Sequence, residues 1–305
     1  SRDYVKLSKT RSETQILQSF SDALVSLVRD ASDSVVQVSS GRGIGTGVVW
    51  DKEGLIATNS HVIGRANKLE VAFVGGERLA AAVVGQDRFS DVAVLKVEKG
   101  KMKPIERGDS EDLATGQFVL ALANPFGDRV GASSGIITNP RGKMGGPWSD
   151  NLVITDVRLN RGYSGGPLMD ASGRMIGMNA AMFANRGIAI PIRAVSTVIS
   201  ELSKSGSIKR AYLGIVSNPI TLPEESAKEL GQSEGLIVLS VEPGTPAKKA
   251  GVAVGDILVG LDSKRVESYF DLHGLLTGGV IGKETSLSVL RSEKLTELKI
   301  TPVEA

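Results

Sequence analysis

The chain has 305 residues, enough for two domains that each bury a core of their own. Lys and Arg number 36 against 34 Asp and Glu, a net charge of +2 with no basic run, so nothing in the charge points to nucleic acid. Cysteine is absent, which removes disulfides, thiolate nucleophiles and Cys-based zinc sites, and the two histidines are too far apart in sequence to assemble a metal site.

The N-terminal segment, residues 1–34, carries Ile16, Leu17, Phe20, Leu24, Leu27 and Val28 at helical spacing, which predicts an amphipathic helix over Glu13–Ala31. Its apolar face needs cover, from its own domain or from a neighbouring subunit. No apolar run reaches the length of a membrane span, and no charged-then-apolar leader pattern stands at the N-terminus; removal of a signal or anchor is compatible with both facts.

From Val35 the pattern becomes short aliphatic runs between turn residues: Val35-Val-Gln-Val, Gly47-Val-Val-Trp, Leu55-Ile-Ala-Thr, Leu69-Glu-Val-Ala-Phe, Ala81-Ala-Val-Val and Val92-Ala-Val-Leu. Asp51-Lys-Glu-Gly54 reads as a hairpin connection. The series resumes at Phe118-Val-Leu-Ala-Leu, Gly135-Ile-Ile-Thr, Leu152-Val-Ile-Thr, Met175-Ile-Gly-Met and Gly187-Ile-Ala-Ile-Pro, and about a dozen such strands suit a pair of small barrels. Asn139 to Asn151, rich in Gly and Pro with Trp148 as its only large aromatic, reads as a surface loop. A helix opens at Pro191, with Val195, Val198, Ile199 and Leu202 on one face and Gly206 as its stop. Ser203–Arg210 is the expected boundary between a domain over 35–205 and a second over 211–305. In the second, Tyr212-Leu-Gly-Ile, Leu236-Ile-Val-Leu, Ile257-Leu-Val-Gly-Leu, Leu287-Ser-Val-Leu and Leu298-Lys-Ile predict short strands, with helices at Ala247–Ala250 and Tyr269–Thr277.

Chemistry concentrates at Asn160-Arg-Gly-Tyr-Ser-Gly-Gly-Pro-Leu168, where three glycines and a proline surround the hydroxyl of Ser164. Taken alone such a loop reads more readily as a structural turn, because a serine attacks only with a positioned base and an anion-stabilising site. Two histidines keep the search for a base short: His61 follows a predicted strand in Thr58-Asn-Ser-His-Val-Ile, while His273 lies in a helix of the second domain. Imidazole, with an ordinary pKa of about 6.5, takes and returns a proton near neutrality, and a carboxylate fixes its tautomer. Asp91, in Ser90-Asp-Val-Ala-Val-Leu, is the candidate carboxylate; taken alone it reads more readily as a strand-start cap or a salt-bridge partner. His, Asp and Ser in that order, each beside a strand end of one β-rich domain, together suggest acyl-transfer chemistry. Gly41-Arg-Gly-Ile-Gly-Thr-Gly lacks the dinucleotide spacing and Gly282-Lys-Glu lacks the features of a phosphate loop, so no cofactor is expected.

Seven motifs in register, Gly45-Thr-Gly-Val-Val, Thr58-Asn-Ser-His-Val-Ile, Ser90-Asp-Val-Ala-Val-Leu, Asn124-Pro-Phe-Gly, Ser134-Gly-Ile-Ile, Asn160–Leu168 and Ile188-Ala-Ile-Pro, resemble the HtrA/Deg family of serine proteases from about Val35 to the end. The resemblance implies a mainly β fold: a chymotrypsin-like double β-barrel followed by a small α+β PDZ domain. It implies Ser164 as nucleophile, His61 as general acid and base, Asp91 as its orienting carboxylate, and the N–H groups of Gly162 and Ser164 as the oxyanion hole. It further implies Leu159 as an apolar pocket floor, Asn160 and Tyr163 beside the substrate, and Asn179, Ala180 and Ala181 as the edge that pairs with an extended peptide. Tyr163 stands where the family usually has Asn and Arg158 where it usually has a small residue, two departures that bear on specificity.

In the second domain Tyr212, Leu213, Gly214 and Ile215 resemble the PDZ carboxylate-binding loop, with Leu272, Leu275 and Leu276 as groove candidates that helical spacing alone would place in the core. The expected function is a cofactor-free serine endopeptidase of protein quality control that acts on unfolded or damaged proteins. Its PDZ domain would bind C-terminal peptides, and the chain would form a homotrimer or higher oligomer in an extracytoplasmic compartment. The alternative is a chaperone-like or peptide-sensing binding protein whose protease site rests inactive.

Overall fold

The computed structural model describes residues 11–41, 43–66, 68–98, 102–142, 152–183 and 186–304, without the side chains of residues 11–13, 183 and 270. Helix α1 (Arg11–Ser32) precedes strands β1 (Val35–Ser39), β2 (Ile44–Val49) and β3 (Leu55–Asn59), a single helical turn α2 (Ser60–Ile63), then β4 (Leu69–Ala72), β5 (Arg78–Asp87) and β6 (Val92–Lys96). These six strands close into a barrel in the order β1-β2-β3-β6-β5-β4. The following strands, β7 (Phe118–Ala123), β8 (Gly131–Gly142), β9 (Leu152–Thr155), β10 (Pro167–Asp170), β11 (Met175–Phe183) and β12 (Arg186–Pro191), close a second barrel in the order β10-β11-β12-β9-β8-β7.

Closure explains why the aliphatic runs are so uniform. A barrel strand has no free edge, and its inward residues fill the interior. Val35, Val36, Val38, Ile56, Leu95 and Leu122 are accordingly buried almost without residue. The Asp51 turn is held by its own carboxylate, whose Oδ1 accepts from the N–H groups of Glu53 at 2.9 Å and Leu55 at 3.0 Å.

After α3 (Ile192–Ser205) come β13 (Ala211–Tyr212), β14 (Ile215–Thr221), α4 (Glu224–Leu230), β15 (Glu234–Val241), α5 (Pro246–Lys249), β16 (Ile257–Leu261), β17 (Lys264–Arg265), α6 (Tyr269–Leu275), β18 (Thr285–Arg291), β19 (Lys294–Ile300) and β20 (Val303–Glu304). The sheet runs β14-β15-β16-β18-β19, so β14 is an edge strand with one side unpaired. Leu236, Val238, Leu258, Leu287 and Val289 join Leu272 and Leu276 of α6 and its end in one core.

By the density of contacts within the chain, residues up to Val83, Val94–Thr138 and Thr155–Arg193 form one compact unit, and Val84–Ala93, Asn139–Ile154 and Ala194–Ala305 form another. The first unit holds α1 against its own barrel strands. Phe20 meets Phe118 edge-to-face at 5.5 Å, and Ala31 is buried, whereas Ile16 and Leu17 are 68% and 54% exposed. In the second unit Arg210 bonds Asp87 and covers the ring of Phe89, which stacks against His273 at 3.9 Å.

Several elements differ from the sequence reading. Strand β10 is hidden by its proximity to the glycine loop, and α4 by its polarity and shortness. Strands β5 and β8 run longer than their aliphatic centres because their flanking residues pair through backbone groups whatever the side chain. Strand β8 takes in Asn139–Gly142, so the expected loop starts later than that; the rest of it, Trp148 included, lies outside the described residues.

Candidate active site

Ser164 sits in the bend before β10, and its loop is fastened from several sides. The N–H of Tyr163 donates to the carbonyl of Asn160 at 3.1 Å, that of Gly165 to Asn179 at 2.8 Å, and that of Gly166 to Tyr163 at 3.0 Å. The carbonyl of Ser164 accepts from the N–H of Thr46 at 2.8 Å, and that of Gly162 from the Thr46 hydroxyl at 2.7 Å. Between Gly162 and Gly166 this leaves the N–H groups of Gly162 and Ser164 as the two that donate to nothing among the described residues.

Gly162 is required there by its backbone. Its φ is +92°, a region that side chains other than glycine's enter at a cost, and a Cβ would stand 2.7 Å from Cβ of Pro125. Gly45 is required by its surroundings, since a Cβ there would lie 2.6 Å from both methyls of Val62 and 3.1 Å from the carbonyl oxygen of Ser164. The neighbour of His61 and the backbone of Ser164 thus converge on one glycine.

Thr46 is the residue that sequence reasoning passed over. It is fully buried, and besides its two bonds to the Ser164 loop its Oγ1 accepts from the N–H of Asn124 at 3.0 Å, while its carbonyl accepts from the hydroxyl of Thr58 at 2.7 Å. It therefore ties the nucleophile bend to the segment before His61 and to the start of Asn124-Pro-Phe-Gly. The only signal for it in the sequence is a polar residue between two glycines.

The hydroxyl of Ser164 donates to the carbonyl of Ala180 at 2.9 Å. His61 lies on the exposed side of α2, with Val62 and Ile63 buried behind it. Asp91 belongs to the other compact unit. It is 2% exposed and takes a φ of +53°, an unusual conformation for a non-glycine residue and one that clusters at functional positions.

The remaining expected substrate residues separate into kinds. Leu159 is half-buried, and Asn160 and Arg158 are exposed. Tyr163 is buried, its hydroxyl pushed up in pKa by desolvation, and a Cβ on Gly131 would touch that hydroxyl at 3.4 Å. Its side chain is therefore packed inside, with the hydroxyl near Gly131 at the start of β8. Asn179 has both backbone groups engaged, its N–H with Gly166 and its carbonyl with Gly165, each at 2.8 Å. Pairing of β11 with β10 ends at Met178, so Ala180 and Ala181 continue along an edge that β10 no longer covers.

In the second unit Tyr212 ends β13, and its hydroxyl donates to Glu242. The N–H groups of Leu213 and Gly214 have no acceptor among the described residues, and Ile215 begins the edge strand β14. Leu272 and Leu276 are core residues with 3% and 4% exposure, and Leu275 is partly buried against the same core. Helical spacing had favoured the core for these leucines.

No group of three or more His, Cys, Asp or Glu suited to a metal occurs among the described residues, and no described helix is long and apolar enough to cross a membrane.

The trypsin-like peptidase domain matches residues 45–178 and the PDZ domain residues 211–301. Protease Do-like 1, chloroplastic, of Arabidopsis thaliana is 36% identical over 284 residues, which cover 85% of this chain and 63% of that protein. The periplasmic pH-dependent serine endoprotease DegQ of Escherichia coli is 34% identical over 268 residues, covering 85% of this chain and 59% of that one. The chain thus spans about three fifths of the length of these relatives. Among solved structures, the HtrA-type protease AlgW with decapeptide shares 26% identity at a TM-score of 0.75, with 92% of this chain and 98% of that one covered. The two matched domains, in this order on a double barrel and a PDZ-like sheet, place the chain in the HtrA/Deg family of serine proteases.

Proposed function

We propose that the chain is a serine endopeptidase that cleaves unfolded or damaged proteins, with Ser164, His61 and Asp91 as its triad. Ser164 Oγ attacks the substrate carbonyl carbon as His61 takes its proton, and the resulting oxyanion is held by the N–H groups of Gly162 and Ser164. His61 then gives the proton to the departing amine, leaving an acyl-serine. Water, deprotonated by His61, attacks that ester and restores Ser164. Asp91 orients the imidazole and stabilises its charged form.

The observation that carries this reading is the pair of undonated N–H groups at Gly162 and Ser164, on either side of a Tyr163 N–H that is bonded inward. A collapsed bend would spend them on protein carbonyls. Their freedom supports the catalytic reading over a resting, chaperone-like scaffold.

The end of β10 pairing at Met178, with Ala180 buried and Ala181 exposed beyond it, supports binding of substrate as an extended strand, which only a locally unfolded polypeptide can supply. Leu159 lies at the entry to the loop as the apolar floor that favours aliphatic side chains. The PDZ domain, residues 211–305, takes C-terminal peptides along β14 with the carboxylate at Leu213 and Gly214. The exposed Ile16 and Leu17 of α1 form a contact of a homotrimer. The domain over 35–205 carries the chemistry, in an extracytoplasmic compartment like those of the relatives named periplasmic.

Changing Ser164 to Ala should abolish hydrolysis of casein with the fold intact, and a fluorophosphonate should label Ser164 in the unaltered chain. Hydrolysis by the pure variant would refute the assignment. Labelling only when a C-terminal peptide is added would show that the PDZ domain governs the site.

A further inference from the structure

A cavity of about 520 Å³ opens beside the Ser164 bend, lined by Ser39, Ile44, Pro125, Phe126, Arg161 and Gly162 among others. That volume is within the range of sites that accept a side chain or a small ligand. Neither the Ala180–Ala181 edge nor Leu159 lines it. Its connection to the chemistry is Gly162, which forms its wall and also carries one of the two undonated N–H groups.

This shared residue decides which part of a substrate the cavity can take. The following rests on the reading of Ser164 as nucleophile. A substrate carbonyl bound at Gly162 and Ser164 has its N-terminal side along Ala180–Ala181 and over Leu159. The cavity adjoins the oxyanion site through Gly162 and shares none of those N-terminal-side residues, which leaves it to the chain beyond the scissile carbonyl.

The lining has a definite character. Phe126 is 75% exposed and Ile44 52% exposed, so two large apolar side chains meet solvent at the mouth of one cavity. Arg161, the lining residue directly before Gly162, is exposed and makes no ion pair or hydrogen bond through its side chain among the described residues. An apolar wall with an unneutralised guanidinium at its rim suits an apolar side chain followed closely by a carboxylate.

We propose that this cavity binds the leaving segment of the substrate, taking an apolar side chain just C-terminal to the cut against Ile44 and Phe126 and an acidic side chain beside it at Arg161. The site is a determinant of sequence preference on the departing side, separate from the Leu159 pocket and from the PDZ groove.

The test uses internally quenched peptides identical up to the cut and continuing with Leu-Glu, Leu-Lys or Gly-Gly, together with a peptidyl anilide that has no residue beyond it. The full chain should prefer Leu-Glu over Gly-Gly by about tenfold in kcat/KM, as burial of one aliphatic side chain allows. Phe126→Ala should erase that preference and Phe126→Leu should retain most of it. Arg161→Glu should reverse the choice between Leu-Glu and Leu-Lys by about fivefold, the scale of an exposed charge pair. All three variants should turn over the anilide at the unaltered rate. Equal losses on the anilide and the peptides, or preferences unmoved by the substitutions, would overturn the proposal. Failure of a fluorophosphonate to label Ser164 would instead count against the nucleophile, which keeps the two assignments separable.

Discussion

Arg210 holds Asp87 in a two-pronged grip, Nε to Oδ1 at 3.1 Å and Nη2 to Oδ2 at 2.6 Å, across 123 residues of sequence. The carboxylate is 7% exposed and the guanidinium 20%. Burial raises the pKa of Asp87, but the bonds from Arg210 and from the hydroxyl and N–H of Ser90 outweigh it, and the carboxyl is held below its ordinary value. Replacing Arg210 by Met leaves a buried carboxylate without its cation and should cost about 3 kcal/mol of stability, measured by urea unfolding. Because the folded pKa is depressed, this stabilisation is present above about pH 4 and lost as pH falls below it. In Arg210→Met, with burial no longer outweighed by the cation, this acid-linked loss should shrink.

His273, packed on Phe89, gives a second and separate acid response. Burial is the chief cause of its lowered pKa, the charge of Arg210 adds to it, Asp87 opposes it, and the value comes to about 4. The folded protein keeps this imidazole neutral where the unfolded chain protonates it. Its stabilisation is therefore complete above about pH 6.5 and is lost as pH falls through that range toward about 4. His273→Phe should remove about 2 kcal/mol of the difference in unfolding free energy between pH 7 and pH 4.5. An unchanged difference would mean that other groups carry it.

Two glycines test the bend directly. Gly162→Ala must abandon a φ of +92° or collide with Pro125, and misplacing one anion-binding N–H should lower kcat by about 100-fold. Gly45→Ala presses on Val62 and the Ser164 carbonyl and should cost about 1–3 kcal/mol together with activity. Casein hydrolysis and thermal unfolding on the same preparations separate the catalytic part from the structural one.

Helix α1 buries its C-terminal end and leaves Ile16 and Leu17 in solvent. If that stripe joins subunits, the double change Ile16→Glu, Leu17→Glu should convert an oligomer into monomers in sedimentation velocity, with secondary structure unaltered. An unaltered sedimentation coefficient would place the assembly contact elsewhere.

The barrels were legible because closure buries whole aliphatic runs, which then stand out as Val35–Val38 or Val92–Leu95. The nucleophile bend was legible because glycine at 162 and 165 reflects a backbone constraint, which leaves a mark on composition. Thr46 was not, since a threonine in a strand gives no hint of four hydrogen bonds at its other end. Nor were Arg210 and Asp87, whose pairing depends on a distance in space that no local pattern encodes. Tyr163, expected beside the substrate, is buried, which its place next to Ser164 in the sequence does not reveal.

The bond from Ser164 Oγ to the Ala180 carbonyl occupies the only proton that hydroxyl can donate. The same carbonyl belongs to β11 beyond the end of its pairing with β10, where an extended peptide would offer its own N–H. An arriving backbone amide would compete for the carbonyl and release the hydroxyl toward its base, so the shape of the guest would arm the serine. A peptide methylated at that amide should acylate Ser164 about tenfold more slowly than its parent, having no proton to trade. In a crowded compartment, well-folded neighbours that expose no free strand would pass an unarmed serine unharmed.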